Sequence, residues 1–240
     1  MKIYVINLKK NTDRLAHMSE QLAEFGLSFE RIDAVYGKML SADERKIHFA
    51  AFHSRLAAGQ MLREGEIGCA LSQQKAYRRL LASGESHALV LEDDINIVPP
   101  FDVVLEHIES TLDFSRPVVA LLSAHGCEPS GEGDGPRCEP IMGAMCADAY
   151  VISRSAAEII LKVNYPVVTV ADKWGRWVSR YGIAMYRVWP TTVKQDNERF
   201  GTDIALVKYK TPKGLGWVWR KMHRVPEVFC DWLWFKITGR

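Results

Sequence analysis

Short apolar runs alternate along the chain with stretches in which apolar residues recur every three or four positions. The segment 2–8 is apolar, contains β-branched residues and is followed by polar ones, which is typical of a buried strand. Comparable runs predict further strands at 29–32, 87–92, 118–123, 149–153 and 183–188.

The stretches between these runs predict helices. Asn11 or Thr12 can cap the first one, and Gly26 ends it; its apolar face holds Leu15, Met18, Leu22 and Phe25. Further helices are predicted at 40–63, 67–84, 101–112, 155–163 (capped by Ser153 or Ser155) and 173–181. This alternation of strands and helices predicts an α/β fold with a largely parallel sheet flanked by helices.

Polar residues stand at the predicted strand ends. Ligands of such sheets bind beyond the carboxyl ends of the strands, and Asn7, Asp94 and Ser123 lie at such ends. The strand at 87–92 runs into the acidic triplet Glu92-Asp93-Asp94. Carboxylates there favour a hard cation with oxygen ligands, and such a cation commonly also binds phosphate oxygens. The alternative is that the acids only cap a turn.

Composition limits the possible functions. The chain has 240 residues, 48% of them hydrophobic, and a net charge of +2, which fits one catalytic domain and excludes a general nucleic-acid binder. Residues 126–140, with four glycines and few apolar side chains, predict a surface loop. Residues 208–240 hold eight Lys/Arg, two Asp/Glu and four of the seven tryptophans, a local charge of +6.

Four segments, in order, resemble glycosyltransferase family 25, the lipooligosaccharide galactosyltransferase family. They are the strand ending in Asn7-Leu8 with Asp13-Arg14 after it, the block 65–72 (Gly-Glu-Ile-Gly-Cys-Ala-Leu-Ser), the strand 91–94 (Leu-Glu-Asp-Asp), and 150–153 (Tyr-Val-Ile-Ser). The resemblance spans residues 3 to about 196. It departs at Gln73, where the family commonly has His.

The resemblance implies a GT-A type, Rossmann-like domain over 1–207 that transfers a sugar with inversion. The implied donor is UDP-galactose, and the implied acceptor is a lipooligosaccharide or lipopolysaccharide glycolipid. Mn²⁺ or Mg²⁺ would assist departure of the diphosphate. Asp94 is the first choice as metal ligand, and Glu92 can ligate as well or bond the ribose.

The remaining nucleotide-sugar candidates each have a structural alternative. Asn7, beside Leu8, could bond base or ribose and Arg14 a phosphate, unless they only cap a helix and form a surface ion pair. In the block 65–72, Glu66 could bond sugar hydroxyls, Gly68 could let backbone approach a ligand, and Ser72 is expected mainly to pack its helix. Asp93 would alternate to the opposite face of the strand, and Gln195 would close the site over the diphosphate.

An inverting transfer needs a carboxylate that removes a proton from the acceptor hydroxyl. The resemblance favours Asp172 as this base, with Asp148 as the alternative. Asp172 could instead be the N-cap of the helix at 173–181. Trp174 could offer a platform for a sugar ring.

The tail and the cysteines bear on location. A helix at 225–235 would place apolar residues on one stripe between basic flanks, which favours contact with an anionic membrane surface; docking on the domain is the alternative. Five cysteines without paired spacing favour a reducing cytosol. We therefore expect a peripheral protein at the cytoplasmic face of the inner membrane. The alternatives are a non-catalytic sugar- or nucleotide-binding protein of the same fold and a nucleotidyltransferase, for which no phosphate-binding motif is found.

Overall fold

The computed structural model describes residues 1–58, 61–123 and 135–200, and within these ranges the chain forms an α/β fold. The strands are β1 (Lys2–Asn7), β2 (Glu30–Asp33), β3 (His87–Glu92), β4 (Ile95–Ile97), β5 (Val118–Leu121), β6 (Arg137–Pro140), β7 (Ala149–Ser153), β8 (Ala184–Trp189) and β9 (Val193–Gln195). The helices are α1 (Thr12–Glu24), α2 (Ala42–His48), α3 (Ala51–Ala58), α4 (Glu64–Ser83), α5 (Phe101–Thr111), α6 (Arg154–Asn164), α7 (Trp174–Tyr181) and α8 (Asn197–Phe200), with a short 3₁₀ turn at Gly37–Met39.

Seven strands form the central sheet, in the order β2-β1-β3-β7-β5-β8-β6. The strands β1, β2, β3, β5 and β8 point the same way, whereas β7 is antiparallel to both of its neighbours and β6 is antiparallel to β8. The predicted mostly parallel sheet flanked by helices is confirmed. The reversal of β7 was not predicted, and it brings the start of this strand to the edge where its neighbours β3 and β5 end.

Helices cover both faces of the sheet. On β1, Tyr4 and Ile6 pack on one side with residues of α4 and α6, while Ile3 and Val5 pack on the other with residues of α1 and α5. This alternation follows from the pleat of a strand, whose successive side chains point to opposite faces. Both faces of β1 are therefore buried, as the apolar run at its positions predicted.

Most predicted elements are present, with a few corrections. The segment 40–63 forms two helices, α2 and α3, rather than one. The predicted loop 126–140 is wrong at its end, because Arg137–Pro140 form the edge strand β6. Gly84 ends α4 with a positive φ of 83°, and the Ser153 hydroxyl accepts from the Ala156 N–H at the start of α6, both as predicted.

The predicted tail 208–240 with its helix and the first part of the predicted loop 126–140 fall outside the described residues. Within the described ranges, no helix is both long and apolar enough to cross a membrane.

Candidate functional site

The acidic triplet lies where several strands of the central sheet end. β1 ends at Asn7, β3 at Glu92 and β5 two residues before Ser123. Because β7 runs the opposite way, the residue that precedes it, Asp148, reaches the same edge. The Ser123 hydroxyl donates a hydrogen bond to Asp148 Oδ1, which joins the two strands there. Glu92, Asp94 and Asp148 thus gather at one edge of the sheet.

A cavity opens over this edge, and we call it the acidic cavity. Its volume is about 140 Å³. The segment 34–38 after β2 forms one wall, and Gly65 and Cys69 at the start of α4 form another. The predicted residues that line it are Leu8, Arg14, Ser72, Glu92, Asp93, Asp94 and Gln195. The structure therefore brings together seven of the predicted residues, whereas Asn7, Glu66, Gly68, Asp148 and Asp172 lie outside this lining.

Asp93 is held in place by Asn7 and Arg14. Its Oδ2 accepts from Asn7 Nδ2 at 2.7 Å, and its Oδ1 accepts from Arg14 Nη1 at 3.2 Å. Asn7 also donates to the Asn11 carbonyl and accepts from Arg31 Nε at 2.9 Å. Asn7, which was expected to bond base or ribose, instead uses its side chain to fix Asp93. The strand ends at Glu92, so Asp93 does not alternate away from the site as expected.

Asp94 is the carboxylate best placed to take up a cation. Its Oδ2 lies 3.4 Å from Arg14 Nη1, and its Oδ1 is buried with no hydrogen-bond partner in the described part of the chain. Burial, and then the charge of Asp93, raise the pKa of Asp94 to about 6, although Arg14 acts in the opposite direction. A buried carboxylate oxygen without a partner is costly unless something binds it.

Glu92 is clamped by a chain of neutral groups. Its Oε1 accepts from Gln73 Nε2 at 3.1 Å and from the Cys69 thiol at 3.7 Å. The Tyr150 hydroxyl donates to Gln73 Oε1, and since it has one proton, it accepts from Tyr77, 2.8 Å away. Burial, and then the charges of Asp94, Asp148 and Asp93, raise the pKa of Glu92 well above its ordinary value. Gln73, the departure from the family pattern, thus supports this carboxylate.

The block 65–72 serves mainly to pack α4. A Cβ on Gly68 would lie 2.6 Å from the Val35 carbonyl oxygen and 2.7 Å from the Gly37 nitrogen. The Glu66 carboxylate accepts from the Arg63 N–H at 2.7 Å at the start of the helix, and Ser72 accepts from the Val35 N–H at 2.8 Å. The glycine is needed for close approach to protein backbone rather than to a ligand, and the expectation of a packing role for Ser72 fits these bonds.

The two candidate bases differ in how firmly they are held. Asp148 is buried, and its Oδ1 accepts from the Ser123 hydroxyl and from the Ala149 N–H at 3.1 Å. Asp172 is half-buried; its Oδ2 accepts from the Cys146 N–H at 3.1 Å, and its carboxylate makes no other hydrogen bond with the described residues. It does not cap α7, whose N-cap is Lys173. Asp172 is therefore the more accessible carboxylate.

Asp172 lines a second cavity of about 540 Å³, which we call the α7 cavity. Gly143, Lys173 and Arg176 also line it. Trp174 borders it but is only 1% exposed and donates its indole N–H to the Cys146 carbonyl at 2.6 Å. The expectation that Trp174 offers a free platform for a sugar ring is therefore wrong, because the indole packs inside against Tyr150.

The Cys146 thiol lies within electrostatic range of the acids of the acidic cavity and of the two candidate bases. Burial, and then the charges of Asp148, Asp172, Glu92 and Asp94, raise the pKa of Cys146 to about 12. The acids of the acidic cavity and those beyond it thus act on the same side chain.

A family model matches the first half of the chain. The model of glycosyltransferase family 25, described as an LPS biosynthesis protein family, matches residues 1–125, which is more than half of the chain. The chain belongs to glycosyltransferase family 25. The match contains β1, α4, β3 and the acidic triplet, and it ends before β7 and α7.

Curated relatives match about half of the chain. A "Procollagen galactosyltransferase 1-B" of Xenopus laevis is 34% identical over 118 residues, 48% of this chain and 19% of that protein. A "Glycosyltransferase 25 family member" of Aedes aegypti is 32% identical over 117 residues, and an "Inactive glycosyltransferase 25 family member 3" of Homo sapiens is 30% identical over 118 residues. The chain spans about a fifth of the length of these relatives.

A solved structure is also similar at low identity. It is a glycosyltransferase involved in the glycosylation of the major capsid of PBCV-1, with 16% identity, a TM-score of 0.32, and coverage of 75% of this chain and 66% of that one.

The donor set of this family 25 chain fits a divalent cation. In the described part, no group of three or more His, Cys, Asp and Glu side chains is arranged to hold a metal. Mg²⁺ does not need such a group, since one or two carboxylates together with substrate phosphates and water complete its shell. Asp94, with its unpartnered Oδ1, and the neighbouring Glu92 supply that number.

Sequence reasoning missed the wall formed by residues 34–38. Tyr36 and Lys38 line the acidic cavity, and Lys10 lies 4.3 Å from the centre of the Tyr36 ring. These residues follow β2, a strand parallel to β1. The rule that ligands bind beyond the carboxyl ends of parallel strands could therefore have identified them.

Proposed function

We propose that this family 25 protein is an inverting, metal-assisted hexosyltransferase of GT-A type. It would transfer galactose from UDP-galactose to a hydroxyl of a saccharide acceptor, releasing UDP. The observation that carries the proposal is the buried Oδ1 of Asp94, which lacks a partner in the described residues and lies in a cavity at the carboxyl ends of the strands. The choice of galactose is supported by the sequence resemblance and by the name of the Xenopus relative.

Asp94 and Glu92 would hold the Mn²⁺ or Mg²⁺ ion. When bound, the ion supplies positive charge that stabilises the departing diphosphate. Arg14 contacts both Asp93 and Asp94, so it fixes the carboxylates and adds a second positive charge at this end of the cavity. The rest of the nucleotide sugar would bind to other residues that line the acidic cavity: Leu8, Asn11, Ser72 and Gln195.

The cavity volume of about 140 Å³ is smaller than the pocket that a drug-sized ligand requires, about 300 Å³ or more. The donor would therefore also cover surface beyond the cavity. The segment 34–38 and Gln195, which both line the cavity, are residues that it would contact.

Asp172 would act as the general base. Its carboxylate takes the proton of the acceptor hydroxyl while the acceptor oxygen bonds to the anomeric carbon and the bond from that carbon to the diphosphate oxygen breaks. The electron pair of the broken bond leaves with UDP, and the anomeric configuration inverts. Asp172 is preferred to Asp148 because Asp148 is fully buried and already accepts from Ser123 and Ala149.

A screen of nucleotide sugars, measured by nucleotide release, tests the proposal. With Mn²⁺ or Mg²⁺, UDP-galactose should be hydrolysed slowly without acceptor and turned over faster with a saccharide acceptor. EDTA should stop both reactions, and Mn²⁺ should restore them. Full turnover in EDTA, or release from no nucleotide sugar in the screen, would contradict the proposal.

A second candidate is a non-catalytic sugar- or nucleotide-binding protein of the same fold. It is favoured by the human relative that is named inactive. Such a protein would bind UDP-galactose with Mn²⁺ in a calorimeter without releasing UDP over hours, whereas the enzyme would consume the donor during the titration.

For the acceptor we propose a lipooligosaccharide or lipopolysaccharide glycolipid, reached at the cytoplasmic face of the inner membrane. The family description and the basic, tryptophan-rich segment 208–240 support this location. The full chain should co-sediment with vesicles of anionic lipid, less so as salt rises, because exposed charges are screened. A variant without residues 214–240 should remain folded and lose this binding. Equal binding to neutral vesicles at high salt would contradict the role of charge.

A further inference from the structure

We propose that the α7 cavity is the acceptor site and that it selects a saccharide carrying a negative charge, either a carboxylate or a phosphate. This inference rests on the proposed transferase function. Asp172, the candidate base, lines this cavity and not the acidic cavity. Because a general base must lie within hydrogen-bonding reach of the hydroxyl that it deprotonates, the acceptor has to enter where Asp172 is exposed.

The charges of the α7 cavity favour an anion beside the base. Lys173 and Arg176 are cationic, and Asp172 is the only acid among the described residues that line it. Lys173 is exposed and forms no ion pair with the described residues. Once Asp172 is ionised, the lining still has a net charge of +1, which favours an acceptor with an anionic group next to its reactive hydroxyl.

The position of these cations is unfavourable for the helix that carries them. Lys173 is the N-cap of α7 and Arg176 lies in its first turn, which contains no acidic residue. The N-terminus of a helix carries partial positive charge, so cations there oppose the helix dipole. Helix stability therefore does not favour cations at these positions, whereas binding an anion would use them.

Small residues lie beside the charged ones in the lining of the α7 cavity. A Cβ on Gly143 would meet the Cα of Gly175 at 3.4 Å, so the two backbone segments lie against each other. Ala144 and Met145, which is 59% exposed, also line the cavity. The glycines and the alanine leave room for a polar ring with an anionic substituent beside Asp172, Lys173 and Arg176.

Binding of small sugars to the full chain tests the inference independently of catalysis. The probes are glucose, glucuronate, glucose 6-phosphate and inorganic phosphate, titrated by ligand-detected NMR with saturating UDP and Mg²⁺ present so that the acidic cavity is occupied. The variants are the double substitution Lys173→Gln/Arg176→Gln and, as a matched control, Arg180→Gln on the last turn of the same helix. Melting temperature and UDP affinity report whether fold and acidic cavity remain intact.

We expect wild type and Arg180→Gln to bind glucuronate or glucose 6-phosphate about tenfold more tightly than glucose, the upper range for two partly exposed ion pairs. The double variant should lose this preference while binding glucose as before. A preference for glucuronate identifies a carboxylate, and one for glucose 6-phosphate identifies a phosphate.

Three outcomes would overturn the inference: equal binding of charged and neutral sugars by wild type, a preference retained by the double variant, or inorganic phosphate binding as tightly as the sugar phosphate. A weakened UDP affinity in the double variant would also overturn it, since the cations would then serve the nucleotide. If anionic sugars bind as expected but no nucleotide sugar is turned over, the α7 cavity binds anionic sugars without being an acceptor site, and the proposed transferase function fails.

Discussion

The acidic cavity and the α7 cavity are built in opposite ways. In the acidic cavity, Asp93 is bonded to Asn7 and Arg14, and Glu92 is clamped by Gln73, so the charged side chains are buried and fixed. In the α7 cavity, Lys173 is exposed and Asp172 makes one hydrogen bond with the described residues. The first is lined largely by residues of the family match 1–125, and the second lies wholly outside it.

The two cavities therefore suit different tasks. A fixed cluster of carboxylates suits a task that requires constant geometry, such as holding a cation and a diphosphate. An open surface with two cations suits recognition of an acceptor that can differ from one protein to the next. We therefore expect substitutions in the acidic cavity to affect turnover of every substrate, and substitutions in the α7 cavity to depend on the acceptor.

The largest effect is expected for Asp94→Asn. The variant removes the negative charge that would hold the divalent ion, so turnover should fall about a thousandfold or more with every acceptor. Asp102→Asn, which neutralises an exposed acid on α5, is the matched control and should keep full activity. Steady-state UDP release measures both. A loss below tenfold for Asp94→Asn would remove it from the metal site.

The next largest effect is expected for Asp172→Asn in the α7 cavity. The amide keeps the shape of the side chain but cannot take up the acceptor proton, so turnover should fall roughly a hundredfold or more. Affinity for UDP-galactose should change little, because Asp172 does not line the acidic cavity. Single-turnover transfer and calorimetry measure the two quantities. If Asp172→Asn retains turnover and Asp148→Asn loses it, the base is Asp148.

A pair of glycines tests the contrast in packing. In Gly68→Ala the new Cβ would meet the Val35 oxygen at 2.6 Å, so one of two backbones must move, at a cost of about 2–3 kcal/mol. In Gly175→Ala the atom nearest to the new Cβ, the Met142 oxygen, is 3.5 Å away, so the melting temperature should change little. Melting curves should show a drop of about 5–10 °C for Gly68→Ala alone. Equal melting temperatures would contradict the rigid packing of α4.

The smallest effect concerns stability and pH. Because the pKa of Asp94 is raised to about 6 from 3.8, the folded protein binds this proton more tightly than the unfolded chain does. Stability from this group is therefore lost as pH rises from about 4 through about 6. In EDTA at pH 7.5, Asp94→Asn should be more stable than wild type by about 1–3 kcal/mol, and the difference should vanish below about pH 4. Denaturant unfolding measures it. If Asp94→Asn is less stable than wild type both at pH 7.5 and below pH 4, the buried charge of Asp94 does not destabilise the folded protein.

Periodicity was sufficient to predict the strands and helices that form the frame of the site. The apolar run before Glu92 identified β3, and the rule for parallel sheets placed Asp94 at the edge where the acidic cavity opens. Periodicity carries no information on strand direction, however. The antiparallel course of β7, which brings Asp148 to the same edge, depends on pairing with β3 and β5, residues distant in sequence.

The sequence also could not indicate which polar side chains have protein partners. Asn7 has a polar side chain at a strand end, as a ligand-binding residue would, but its amide forms hydrogen bonds with Asp93, Asn11 and Arg31. Trp174 follows the candidate base, but its ring is buried against Tyr150. Both outcomes depend on contacts between residues that are far apart along the chain: Asn7 Nδ2 lies 2.7 Å from Asp93 Oδ2, and the ring centres of Trp174 and Tyr150 are 5.2 Å apart. Gly68 is a third example: its lack of a side chain makes room for the backbone of Gly37, a contact that the sequence does not reveal.

Gln73 holds Glu92 with an amide, a group that neither gains nor loses a proton in the physiological range. An imidazole in its place would change its charge between about pH 5 and 8 and with it the grip on the carboxylate. The hydroxyls of Tyr150 and Tyr77 behind it are buried and stay neutral. The groups that hold Glu92 therefore keep the same charge when the pH of the cell changes. Among these residues, pH acts through the protonation of the carboxyl group of Glu92.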